Sequence, residues 1–133
     1  LLQRALRAVN ADIVGRLADL GYAQVRPSHW AVFAGLEPGG SRVVDLANRA
    51  QMTRQGMSVL VKEREQFGYV TVGPDPLDGR AARVRLTKKG EAFCHQAARV
   101  VTTVEIEWRD LLGQRAWPPC ARALHTLADH THQ

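Results

Sequence analysis

Cysteine, aromatic residues and long apolar runs are all scarce in this chain of 133 residues, and each scarcity excludes something. The two cysteines, Cys94 and Cys120, lie far apart in helical contexts, so a disulfide scaffold or a zinc knuckle is not expected. A reduced, cytoplasmic interior is the simplest setting. No run approaches about 18 consecutive apolar residues, which excludes a membrane-spanning helix. The opening LLQRALRAVN sets arginines inside its apolar pattern and reads as an amphipathic helix, not a signal peptide. The chain does not begin with Met, and a few preceding residues are expected. A glycine-rich phosphate loop, a nucleophile elbow and a paired metal-ligand motif are absent, so neither an enzyme nor a cofactor is expected. PDPLDGR (residues 74–80) has the carboxylates of a calcium loop without its closing Glu. The aromatic platform that single-stranded RNA requires is missing too.

What remains is one domain's length of chain, 45% hydrophobic, with 18 basic residues against 13 acidic ones. The resulting charge of +5 favours a polyanionic partner through phosphate neutralisation. The stretch MTRQGMSVLVKEREQFGYV, residues 52–70, organises the rest. At about 3.6 residues per turn, Met57, Leu60, Val61 and Phe67 share one side of a helix, while Gln55, Ser58, Val59, Lys62 and Gln66 share the other. Thr53 is the expected N-cap and Gly68 the stop. The outward face carries no acid in its first two turns, which suits insertion into a DNA major groove. An ordinary solvated helix would show the same pattern, and its neighbours decide between the two.

Upstream, Leu2, Leu6, Val9, Ile13, Leu17 and Leu20 recur at three- and four-residue steps and predict a helix over 2–20, ended by Gly21. Pro27 and Ser28 open a second helix through Leu36, with Trp30 and Phe33 in the core. After the break GLEPGGS, Ser41 caps a short third helix through Ala50. There Val44, Leu46 and Ala47 pack, and Arg42, Asp45, Asn48 and Arg49 face out. Two short helices joined by a tight turn make a helix-turn-helix. Tyr69–Val72 and Arg83–Leu86 then read as strands around a turn-rich 73–80, forming a two-stranded wing made basic by Arg80, Arg83 and Arg85. An arginine at a hairpin tip is well placed to enter the minor groove.

Thr87 caps the next helix, where Phe93, Ala97, Val100, Val104, Trp108 and Leu111 recur at helical steps. About 25 residues of helix span roughly 37 Å, too long a stripe for one small core to cover. Gly113 is expected to weaken this helix and WPP at 117–119 to break it, with Pro119 opening a last helix. The expected fold is therefore mainly α (α+β). A single domain over 1–133 carries the winged helix-turn-helix at 28–86 and dimerisation helices at 1–20 and 87–133.

The stretches LANRAQMTRQGMSVLVKEREQFGYV and PDPLDGRAARVRLTKKG resemble the MarR family of transcriptional regulators, which are winged helix-turn-helix dimers. Asp78, Arg80, Leu86, Thr87 and Gly90 match the family's wing signature. The resemblance implies that Arg80 enters the minor groove while Asp78 steadies the arm, and that Arg54, Gln55 and Ser58 meet bases or phosphates. The full expected DNA-contacting set is Ser41, Arg42, Thr53, Arg54, Gln55, Gly56, Ser58, Val59, Lys62, Asp78, Arg80 and Arg83. Two positions depart from the family. Val59 is apolar where relatives are often polar or basic, and could meet a thymine methyl. Arg64 stands where relatives are commonly apolar, and is expected to snorkel its head to solvent or an acid.

The resemblance also implies repression of the protein's own or neighbouring genes, with release by a small molecule bound between dimer helices and reading domain. His29 and Trp30 are the candidates for that site, suiting an aromatic or phenolic acid. His125, Asp129, His130 and His132 cluster near the C-terminus, but two of the histidines sit at a fraying end and no metal site is expected. Peroxide-sensing relatives carry a cysteine in the first helix, and this chain has none there. The function expected is a homodimeric, sequence-specific repressor acting on a pseudo-palindromic double-stranded DNA operator, without membrane association. The alternative is a winged-helix protein-interaction module that binds no DNA.

Overall fold

The apolar steps of the first segment and the turn formers that follow it become helix α1, Leu2–Asp19, and a single 3-10 turn, Pro27–His29, that runs into α2, Trp30–Gly35. Strand β1 is Ser41–Arg42. Helices α3, Val43–Arg49, and α4, Arg54–Gln66, form the helix-turn-helix. Strands β2, Val70–Pro74, and β3, Ala82–Leu86, form the hairpin, and α5 is Lys88–Thr131. The computed structural model describes residues 1–131, so His132 of the C-terminal group lies outside the described residues. Contacts divide the chain into two compact units, Leu1–Ala98 and the part from Arg99 onward. Among the described residues, no helix is long and apolar enough to cross a membrane.

The sheet has three antiparallel strands in the order β1-β3-β2, not two. Val70 pairs with Leu86, Val72 with Val84 and Pro74 with Ala82, while Ser41 pairs with Val84. Gly39 and Gly40, both with left-handed φ (+84° and +101°), turn the chain onto β3, where Arg85 Nε donates to the Gly39 carbonyl at 3.1 Å. Ser41 therefore caps nothing. Its hydroxyl is buried and accepts the Glu37 amide at 3.0 Å, and α3 begins one residue later than expected, with Arg42 at the N-cap position. Val44, expected to pack, is 43% exposed, because two residues of α-helix turn through about 200° and so set it on the face opposite buried Leu46.

Five aromatic rings close the core of the first unit. Phe93 lies at the centre, 4.7 Å from Phe33, 5.2 Å from Tyr22, 5.4 Å from Tyr69 and 5.9 Å from Trp30 between ring centroids. Such rings bury large areas and favour edge and offset contacts. Around them Leu17, Val25, Val32, Leu46, Met57, Val70 and Val84 are buried. The first contacts of α5 thus tie the wing and the helix-turn-helix into one core.

Three helices end in the same way: a left-handed residue follows the last turn, and two backbone amides reach back to helical carbonyls. Gly21 does this for α1 and Gly68 for α4. For α3 the residue is Gln51, at φ +53°, with Gln51 N–H on Asn48 O and Met52 N–H on Ala47 O at 2.9 Å. The helix-turn-helix turn thus needs a glycine conformation and lacks a glycine. Gln51→Gly is expected to raise stability by about 0.5–1 kcal/mol, because exposed Gln51 loses no contact and its strain disappears. Urea melts of the two proteins check this, and an unchanged or lower midpoint would contradict it.

The long helix departs from expectation at its break. The helical path runs unbroken over Lys88 to Leu112, breaks at Gly113 (φ +77°, ψ 172°), and carries Pro118 and Pro119 inside the helix that resumes. Glycine adopts a positive φ without penalty, whereas Pro118 and Pro119, five and six residues further on, each take one backbone donor out of the helix that resumes. The start is as expected: Thr87 Oγ1 accepts the Gly90 amide at 3.0 Å.

Candidate nucleic-acid interface

Thr53 opens α4 as an N-cap, its hydroxyl oxygen accepting the Gly56 amide at 3.0 Å. A Cβ at Gly56 would stand 3.1 Å from that oxygen, so Gly56 serves the cap by leaving room for it. Met57, Leu60 and Val61 turn inward, while Arg54, Gln55, Val59 and Lys62 are exposed and Ser58 is half-buried. Phe67, expected to pack with them, lies past the last turn and is exposed.

Arg64 faces inward at 1% exposure and does not snorkel. Its Nη2 donates to the Gln24 carbonyl at 2.8 Å, and its guanidinium carbon lies 5.2 Å from the Tyr69 ring centroid and 5.7 Å from that of Phe67. Carbonyl and ring faces replace the solvent or acid that was expected. Burial pushes the guanidinium below its ordinary pKa.

The wing is organised by Asp75, which sequence reasoning missed. Its carboxylate is buried and accepts Arg42 Nε at 2.8 Å, Arg83 Nη2 at 3.0 Å and the Leu77 amide at 2.8 Å. It thereby pins β1, β3 and the turn together. Arg42 and Arg83, both expected on DNA, turn their guanidiniums to this carboxylate. Asp78 accepts the backbone amide of Arg80 at 3.0 Å and so shapes the turn through the main chain. Arg80 itself is exposed at the hairpin tip.

The Arg42 hydrogen bond, followed by that of the Leu77 amide, holds the Asp75 carboxyl well below the ordinary aspartate value of 3.8. As pH falls the unfolded chain therefore takes up a proton before the folded one does. The stability supplied by Asp75 is complete above the ordinary value and drains away below it. Asp75→Asn is expected to melt at a lower temperature than the wild type at pH 7. The difference should shrink as pH drops below about 4, where the native carboxylate loses its advantage. Melting curves across pH 3–7 check this, and a constant difference would contradict it.

Of the effector candidates, His29 is committed to the core and Trp30 is half-buried against it. His29 is fully buried; its Nδ1 accepts the Arg26 amide at 2.9 Å and its Nε2 lies 2.6 Å from Glu63 Oε2. Only the neutral ring with its proton on Nε2 satisfies both partners, and burial keeps the imidazole below its ordinary pKa. Glu63 also receives Arg26 Nη2 at 2.8 Å, so this trio ties α4 to the turn before α2. A cleft of about 360 Å³ opens beside it, lined by Gln24, Arg26, His29, Glu63, Arg64 and Phe67. Trp30 stacks on Phe93 with ring planes 17° apart. His125, Asp129 and His130 are exposed. Cys94 is half-buried, and burial pushes its thiol up.

Residues 24–81 match the MarR family. The transcriptional activatory protein BadR of Rhodopseudomonas palustris is 37% identical over 102 residues, which are 74% of this chain and 57% of BadR. The chain thus spans little more than half the length of that relative. The transcriptional repressor CouR, solved bound to a 23-mer DNA duplex, is 26% identical with a TM-score of 0.76, over 96% of this chain and 89% of CouR. YusO of Bacillus subtilis, 18% identical, shares the fold with a TM-score of 0.74 over 96% of this chain and 89% of its own.

Proposed function

We propose that the chain is a MarR-family regulator that binds double-stranded DNA sequence-specifically and regulates transcription, rather than catalysing a reaction. One observation carries the reading. The uncovered face of α4 offers Arg54, Gln55, Ser58 and Lys62, and the adjoining hairpin carries exposed Arg80 at its tip. A helix that reads base edges and an arm that enters the neighbouring minor groove need those two features. Asp75 fixes the hairpin's base and leaves Arg80 outward. Arg42 and Arg83 contribute to the positive field and brace the wing.

The protein acts as a homodimer in this reading. Leu2 and Leu6 on α1, and Leu111, Leu112, Leu124 and Leu127 on α5, are left in water, and a second copy would cover them. Two copies present two α4 helices to successive major grooves, about 34 Å apart, on a pseudo-palindrome in the cytoplasm. The output is repression, released by a small aromatic effector. With His29 locked to Glu63, that effector would meet the half-exposed Trp30 edge rather than the imidazole.

The test is a salt series of binding to random-sequence duplex, with the oligomeric state followed by sedimentation. A steep fall of affinity with salt and a dimeric mass are expected. Absence of binding even at low salt would favour the protein-interaction module. A reporter driven by a selected operator, with and without aromatic acids, checks the sign of regulation.

A further inference from the structure

Val59 is 57% exposed in the middle of α4, one residue after Ser58 and one turn after Gln55. It is the one uncovered apolar side chain among Arg54, Gln55, Ser58 and Lys62, and an isopropyl group can neither donate nor accept a hydrogen bond. In the major groove the pyrimidine 5-methyl is the apolar group a base edge presents. Resting on the reading that α4 enters that groove, we propose that Val59 reads a 5-methylpyrimidine in each half-site. The affinity of this protein then depends on one methyl group in each half-site, supplied either by thymine or by cytosine methylated at C5.

The helix geometry fixes where that methyl lies. Four residues of α-helix advance about 6 Å, so Gln55 and Val59 reach bases within one or two steps of each other. A glutamine amide suits adenine, to which it can both donate and accept. Each half-site therefore carries an adenine for Gln55 next to a methyl-bearing pyrimidine for Val59. Removing one methyl from such a contact weakens binding about fourfold, and removing it from both half-sites about fifteenfold.

The experiment uses duplexes selected by the full-length protein from a random pool. Each thymine is replaced in turn by deoxyuridine, which removes the methyl and keeps base pairing. One thymine per half-site should then weaken wild-type binding about fourfold, and Val59→Ser should not respond to the same replacement. Putting cytosine at that position should weaken wild-type binding, and 5-methylcytosine should restore part of it. These arms separate the two sources of the methyl. If no uracil replacement weakens the wild type more than Val59→Ser, while binding stays salt-dependent and sequence-specific, the methyl reading is overturned and DNA binding stands. If no duplex binds at low salt, both readings fall together.

Discussion

Gly90→Ala is expected to remove about 3 kcal/mol of stability or more, the largest structural effect of any exchange in the wing signature. A Cβ at Gly90 would stand 2.0 Å from the Tyr69 carbonyl oxygen and 3.0 Å from Leu86 Cδ2. The oxygen cannot retreat cheaply, because it accepts the Thr87 amide at 3.1 Å, and Thr87 itself caps α5. Relieving the contact would lift the start of α5 from β2 and from Phe93, which fills the middle of the aromatic core. Gly79→Ala is the control, since nothing lies within 4 Å of its Cβ position. Chemical denaturation should put the unfolding free energy of Gly90→Ala below that of Gly79→Ala by about 3 kcal/mol or more. Similar midpoints would show that α5 shifts without penalty.

Arg80→Ala is expected to weaken operator binding about tenfold to a hundredfold while leaving the melting temperature unchanged. The side chain is exposed, so folding loses nothing, and the turn keeps its shape through the Asp78 bond to the backbone amide. The salt dependence should become shallower by about two units of log slope in the proposed dimer, one for the cation lost from each hairpin. Gln55→Ala should act differently, narrowing the gap between specific and random duplex more than Lys62→Ala does. Mobility-shift titrations at fixed salt distinguish these outcomes. Unchanged affinity for Arg80→Ala would remove the hairpin from the interface.

The sequence disclosed what is local. Thr53 and Thr87 cap the helices they precede, because the cap bond spans three residues and needs no tertiary partner. The inward face of α4 followed from its period. What escaped were partners distant in sequence. Asp75 sits 33 residues from Arg42, and His29 sits 34 from Glu63, so neither bond leaves a local trace. The Pro-Asp-Pro run marked a turn and hid an anchor, and Asp78 drew attention because it stands beside Arg80. Strand β1 was missed because two residues carry no period; only the turn at Gly39 and Gly40 brings them to β3. Composition marks Gly113 as a weak point of α5 and the two prolines as its break, whereas Gly113 provides the break through backbone conformation.

Tyr69 joins the parts. Its amide finishes α4, its ring lies against Phe93, and its carbonyl receives the start of α5, while the next residue begins β2. Helix α4 and the hairpin are consequently joined through one residue. If they grip DNA as proposed, the gap between the two grips is a fixed gauge. Duplexes whose twist spreads or narrows the grooves would then be rejected by misfit alone, whatever bases they carry.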